Sequence, residues 1–211
     1  MRCSSVASHR TIRCPRKPPA ETSTAAMITR TLSLLIGILL AGCASSSKSF
    51  YVLTADGSAP SGSGMGIGVG PIALAEYIDR PNLVIAESPN QLSIADDHRW
   101  AGDLASSVAR VTAANLGRRL GTGNVRTYPW RDDNGLRYQV TIDIRQLHGS
   151  GDGHAVIEAG WRLYALPERR VAAARTFVDR EPLQADGYPA LVAAQSKLLS
   201  RLAADIASAM K

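Results

Sequence analysis

The sequence predicts an α/β sandwich: a mixed or antiparallel sheet with helices packed on it. Three observations point there. Short runs rich in Val, Ile, Tyr and Phe recur through the body of the chain, several with period-two alternation. Two longer stretches switch to helical spacing. The order along the chain is strands, helix, strands, helix.

Phe50 to Thr54 is the first strand candidate, and the Gly, Ser, Ala and Pro residues of 55 to 66 read as a loop. Ile67 to Leu74 is a second extended segment, broken by Pro71. Leu83–Ala86 and Gln91–Ala95 flank Ser88-Pro89-Asn90 and predict a hairpin. Asp96 or Asp97 is then expected to cap a helix from about Trp100 to Leu120, with Leu104, Val108, Val111, Leu116 and Leu120 on one face. Gly121 and Gly123 end it, and Val125 to Pro129 reads as a short strand. From Arg137 to Leu147 the chain alternates, with Tyr138, Val140, Ile142 and Ile144 facing one way. Ala155, Ile157, Ala159, Trp161 and Leu163 repeat the pattern after a glycine-rich turn, and Val171 to Val178 supplies a third strand of that meander. The last element is an Ala-rich helix from Tyr188 to Met210, with Leu191, Ala194, Leu198, Leu202 and Ile206 on one face.

A chain of 211 residues with 45% hydrophobic and 20% charged residues can bury one core and is not disordered as a whole. Its net charge of +6 is unevenly spread. Six of the 24 basic residues and one of the 18 acids precede Cys43, leaving 18 and 17 in the remainder. The folded part has no basic excess with which to hold nucleic acid.

The basic excess belongs to a leader. Arg30 precedes a short apolar run, Leu32 to Leu40, and small residues follow, the order of a secretory signal peptide. The run is about half of the 20 or so residues a spanning helix needs. The ending Leu40-Ala41-Gly42-Cys43 resembles the bacterial lipobox. That resemblance implies cleavage before Cys43 after recognition of Leu40, Ala41 and Gly42, and acylation of the Cys43 thiol and new amine. Several acyl chains on one residue exceed what stable anchoring needs. The expected organisation is a leader over 1–42, with translation starting at Met27, a lipidated tether over 43–49, and one domain over 50–211. Cys3 and Cys14 fall in the discarded leader, so the mature domain is expected to hold neither a disulfide nor a free thiol. Ala44, where aspartate would favour inner-membrane retention, implies by resemblance the outer membrane facing the periplasm.

Candidate chemistry is sparse. His148 to His154 (His-Gly-Ser-Gly-Asp-Gly-His) could hold a metal or set a serine beside histidine, but its glycines suit a turn between strands. The alternate glycines from Gly62 to Gly70 do not make a nucleotide loop, because G-x-G-x-x-G and Gly-Lys-Ser/Thr are missing. Asp96-Asp97-His98-Arg99 reads as a helix cap with solvated charges. No catalytic residue, metal or cofactor is expected beyond the covalent lipid on Cys43.

Several motifs together resemble the PqiC-type ABC-type transport auxiliary lipoproteins. They are Ile67-x-Val69-x-Pro71, Glu76-Tyr-Ile-Asp-Arg-Pro81, Arg99-Trp100-Ala-x-x-Leu104 and Asn115-Leu116. Tyr128-Pro-Trp130, Trp161-Arg-Leu163 and Tyr188-x-x-Leu-Val192 complete the set, which covers residues 49–211. Ala75, where the family often has proline, and the long 55–66 loop depart from the pattern. The resemblance implies a three-layer α/β sandwich and a non-enzymatic lipoprotein on the inner leaflet of the outer membrane. It also implies work with a membrane-spanning mammalian-cell-entry (MCE) protein that carries lipid, and assembly as a homo-oligomer. Tyr77, Asp79, Arg80, Arg99 and Trp100 are then either partner interface or core and turn. An assembly lipoprotein of another envelope machine, or a hydrolase using the His148–His154 loop, are the competing expectations.

Overall fold

Fifteen residues from Leu136 to Ser150 form a strand around which the sheet is built. The computed structural model describes residues 47–60 and 62–210, so the leader, the lipobox and Cys43 lie outside the described residues. In chain order the elements are β1 (Ser49–Tyr51), β2 (Gly66–Leu74), β3 (Asn82–Ser88), β4 (Gln91–Trp100) and α1 (Leu104–Leu120). There follow β5 (Val125–Thr127), β6 (Leu136–Ser150), β7 (His154–Ala165), β8 (Arg170–Pro182) and α2 (Tyr188–Ser208).

One edge of β6 carries β7 in a long antiparallel ladder, and β8 continues outside β7 in the same sense. The other edge of β6 pairs in parallel with β2 and then, at Gly149 and Ser150, with β3. β5 lies beyond β2, while β4 and then β1 lie beyond β3. The α/β class, the mixed sheet and the two main helices are those expected.

The alternation written into β6 and β7 is what buries the core. Val140, Ile142 and Ile144 are at most 2% exposed, as are Ala155, Ile157, Ala159, Trp161 and Leu163. Helix α2 lays Leu191, Leu198, Leu199, Leu202 and Ile206 into that core. Each such side chain contributes about 1.5–3 kcal/mol when fully buried. Helix α1 contributes Leu104, Val108, Val111 and Leu116. The two helices meet directly, with Arg119 donating to Ser200 Oγ at 3.1 Å. Leu120, expected on the buried face of α1, is only half-buried. Among the described residues no helix is long and apolar enough to cross a membrane.

Four local expectations need correction. Helix α1 begins at Leu104, not Trp100, because β4 runs on through Trp100. Residues 98–100 pair in parallel with β1, and Trp100 N donates to Pro81 O at 2.7 Å, so this backbone is already committed to the sheet. The cap is Asp103, whose carboxylate accepts from Ser106 N at 2.7 Å. Hydrogen bonds from Ser106, its side chain first and its backbone N second, hold the Asp103 carboxyl below its ordinary value. Second, Pro71 does not break β2. The ladder to β6 shifts register between Val69 and Ile72, which passes over the missing proline donor, and Gln139 Nε2 donates to Gly70 O at 2.9 Å. Gly70 has φ +118°, and a Cβ there would lie 2.7 Å from Tyr128 Cβ. Third, β8 extends to Pro182, well past Val178, because it pairs along the whole of β7. Fourth, the glycine-rich turn is shorter than expected, since Gly149 and Ser150 belong to β6.

Candidate functional site

The segment following β2 turns sharply on one carbonyl. Ala75 O accepts from Ile78 N at 3.0 Å and from Asp79 N at 3.1 Å, and Ile78 drops into the core at 1% exposure. Tyr77 is thrown to the other side, where its hydroxyl donates to Arg145 O at 3.0 Å. Its ring lies 6.1 Å from that of His148. Burial, and then the charge of Glu158, raise the pKa of this phenol, so it remains a donor through neutral pH. Asn82 Nδ2 donates to Ala95 O at 2.6 Å, fastening the start of β3 to β4.

The five predicted interface residues therefore divide. Asp79 is exposed, and Tyr77, Arg80 and Arg99 are half-buried. Arg80 Nε is buried without a hydrogen-bond partner among the described residues. Arg99 Nε reaches Asp96 O at 3.4 Å. Trp100 is 6% exposed and packs in the core, so it has no face to offer a partner. The Pro81–Trp100 hydrogen bond joins the two motifs, which makes them first a joint between strands.

Beside this joint the sheet face is open. A concavity of about 650 Å³ is lined by Tyr77, Ala86, Leu92, Arg145, Gln146 and His148. The β3–β4 hairpin forms one side of it through Ser88 to Leu92, and on the same strand Leu92 and Ile94 are each 44% exposed. Glu158 accepts from both Arg145 Nη1 and Gln146 Nε2 at 2.9 Å, giving the wall an ion pair partly open to water. A neighbouring concavity of about 550 Å³ runs over Thr141, Asp143, Arg162 and Thr176.

The two histidines of the glycine-rich segment are not brought together. His148 is buried on β6 and lines the Tyr77 concavity, whereas His154 lines a recess of about 170 Å³ with Ile85, Leu183 and Leu191. His154 Nδ1 lies 3.2 Å from Asp152 Oδ1. Asp152 is also bound by Arg180, chiefly responsible for holding its carboxyl at about 2. Asp152 is thus already committed to a cross-strand pair.

Sequence reasoning missed Leu92, Ile94, Arg145 and Glu158. Leu92 and Ile94 enter the sequence reading only as residues of a hairpin arm, and no local signal says that they stay uncovered. Arg145 and Glu158 are 13 residues apart and meet only through the β6–β7 register.

The family described as ABC-type transport auxiliary lipoprotein component matches residues 51–207. A crystal structure of an uncharacterized protein superposes with a TM-score of 0.67 at 22% identity, over 79% of this chain and 100% of that one. Protein XCC0632 from Xanthomonas campestris does so with a TM-score of 0.59 at 20% identity, over 75% and 92% of the two chains. Both likenesses are of fold. No curated protein sequence matches this chain.

Proposed function

The chain belongs to the ABC-type transport auxiliary lipoprotein family, and from that membership we propose a non-enzymatic accessory subunit for moving lipid between membranes. The family match over residues 51–207 is the observation that carries this reading. In it the leader is removed, Cys43 carries the acyl chains, and the domain stands in the periplasm on the inner leaflet of the outer membrane. Its partner is a membrane-spanning MCE-domain protein, and copies of the chain assemble to meet it.

The physical logic is that lipid does not cross an aqueous gap cheaply. Each exposed methylene costs about 0.8 kcal/mol, so a continuous protein conduit is favoured over free diffusion. The anchor concentrates the domain at the receiving membrane, which strengthens weak docking without new contacts. The exposed turn at Asp79, with Tyr77, Arg80 and Arg99 behind it, and the open face beside it are the surface offered for docking.

Affinity purification of the lipidated protein from crosslinked membranes tests the reading. An MCE-domain partner is expected, weakened by Asp79→Arg and lost with Cys43→Ala. Recovery of a different envelope machine, with Cys43 acylated, overturns the lipid-transport role and leaves an assembly lipoprotein.

A further inference from the structure

Strand β1 divides its side chains between two surroundings. Tyr51 turns inward, with its hydroxyl 2.7 Å from His98 Nδ1, and the His98 ring stacks on Tyr188 at a centroid separation of 3.8 Å. Leu53, just beyond the strand, is buried. The backbone is fixed as well. Ala101 N donates to Tyr51 O at 2.8 Å, Thr54 N to Ser196 Oγ at 3.1 Å, and Asp56 N to Asn115 Oδ1 at 2.9 Å. The outward pair, Phe50 and Val52, is 63% and 61% exposed. A firmly held strand at the sheet's edge thus presents an aromatic and a β-branched side chain to water, side by side on one face.

The length of chain outside the described residues names what covers them. Cys43 and Phe50 are seven residues apart, so even a fully extended tether spans at most about 25 Å. If the acyl chains of Cys43 lie in a bilayer, this edge stays within reach of the headgroup layer. The nearby charges are mixed in sign: exposed Lys48 and half-buried Arg99 together with Asp96 and Asp97 of β4. The contact is therefore apolar rather than electrostatic.

We infer that Phe50 and Val52 are a membrane-contacting edge, seated among the phospholipid headgroups of the bilayer that holds Cys43, and that they orient the domain on its anchor. This rests on the lipidation of Cys43 proposed above.

The test uses the processed protein reconstituted into vesicles of phosphatidylethanolamine and phosphatidylglycerol containing nitroxide-labelled lipid. An environment-sensitive dye is placed on Val52→Cys, and for comparison on Val178→Cys, which is 66% exposed on β8 at the far edge of the sheet. Mass spectrometry of the N-terminal peptide reports acylation of Cys43 in the same samples. Quenching at position 52 several-fold stronger than at position 178, and reduced by Phe50→Ser, is the expected result. Equal quenching at both positions on an acylated protein overturns the inference alone. A dye at 52 shielded equally in detergent, with energy transfer between labelled copies, overturns it in favour of a second copy of this chain. An unacylated Cys43 removes the lipidation reading and the inference with it.

Discussion

Two of the sheet's end strands, β8 and β1, are held by different physics. At one edge β8 runs for thirteen residues and is clamped to α2 by ion pairs. Arg201 reaches Asp179 at 2.6 Å and Glu181 at 2.7 Å, Lys197 reaches Glu181 at 3.0 Å, and Arg175 reaches Asp205 at 3.0 Å. At the other edge the three residues of β1 are held by the Tyr51–His98 hydrogen bond, an aromatic stack and backbone donors. A long free edge is a template for unwanted pairing, and charges lining β8 guard it. A three-residue edge needs no such guard and can leave Phe50 and Val52 uncovered. The β8 edge should therefore feel salt more strongly than the β1 edge.

The largest effect is expected beneath the charged clamp. Trp161 is 1% exposed, donates from Nε1 to Asp205 at 2.9 Å, and has Arg175 5.6 Å from its ring centroid. Trp161→Ala should cost about 3–5 kcal/mol in urea denaturation, because it opens a cavity and orphans part of the clamp. A loss below about 1 kcal/mol would show that α2 holds β8 without it. Next in size is Tyr51→Phe, which removes one hydroxyl bond and should cost about 1 kcal/mol independently of salt. Arg201→Met should cost less than about 1 kcal/mol, because the pairs are partly exposed, and the cost should shrink between 0.05 and 1 M NaCl. If the two variants respond alike to salt, the contrast between edges fails.

The smallest effect is acid sensitivity. Arg180 holds Asp152 at about 2 against an ordinary 3.8, a depressed folded-state value. Its stabilisation is present above pH 3.8 and lost as pH falls toward 2. Glu181, lowered chiefly by its hydrogen bond from Arg201, acts in the same direction. Denaturation midpoints followed from pH 5 to 2 should fall less steeply for Asp152→Asn than for the parent chain. Identical slopes would mean that the Asp152–Arg180 pair contributes nothing to stability.

Where periodicity was long, the residues announced the fold. Tyr138 to Ile144, Ala155 to Leu163 and Leu191 to Ile206 carry their burial in their own spacing, and all three segments lie where that spacing puts them. Where a residue's role depends on a distant backbone, local pattern misled. Asp96 and Asp97 have the chemistry of caps, yet Pro81 and β1 occupy the neighbouring backbone, and Asp103 caps instead. Trp100 looked as fit for an interface as Tyr77 did, and only the packing of β4 separates them.

The sequence by itself determined the α/β class, the two helices, and the buried faces of β6, β7 and α2. These follow from short-range rules, period two against period 3.6, that need no partner segment. Tertiary structure alone decided which strands are edges, which apolar residues stay uncovered and which charges meet. Arg145 finds Glu158 through ladder register, and Arg201 finds Asp179 and Glu181 through the docking of α2 on β8. Phe50 and Val52 stand in water because β1 is the end strand beyond β4 and its outward face is left uncovered. Exposure is a property of the neighbours a residue is given, and those neighbours are fixed only when the chain closes on itself.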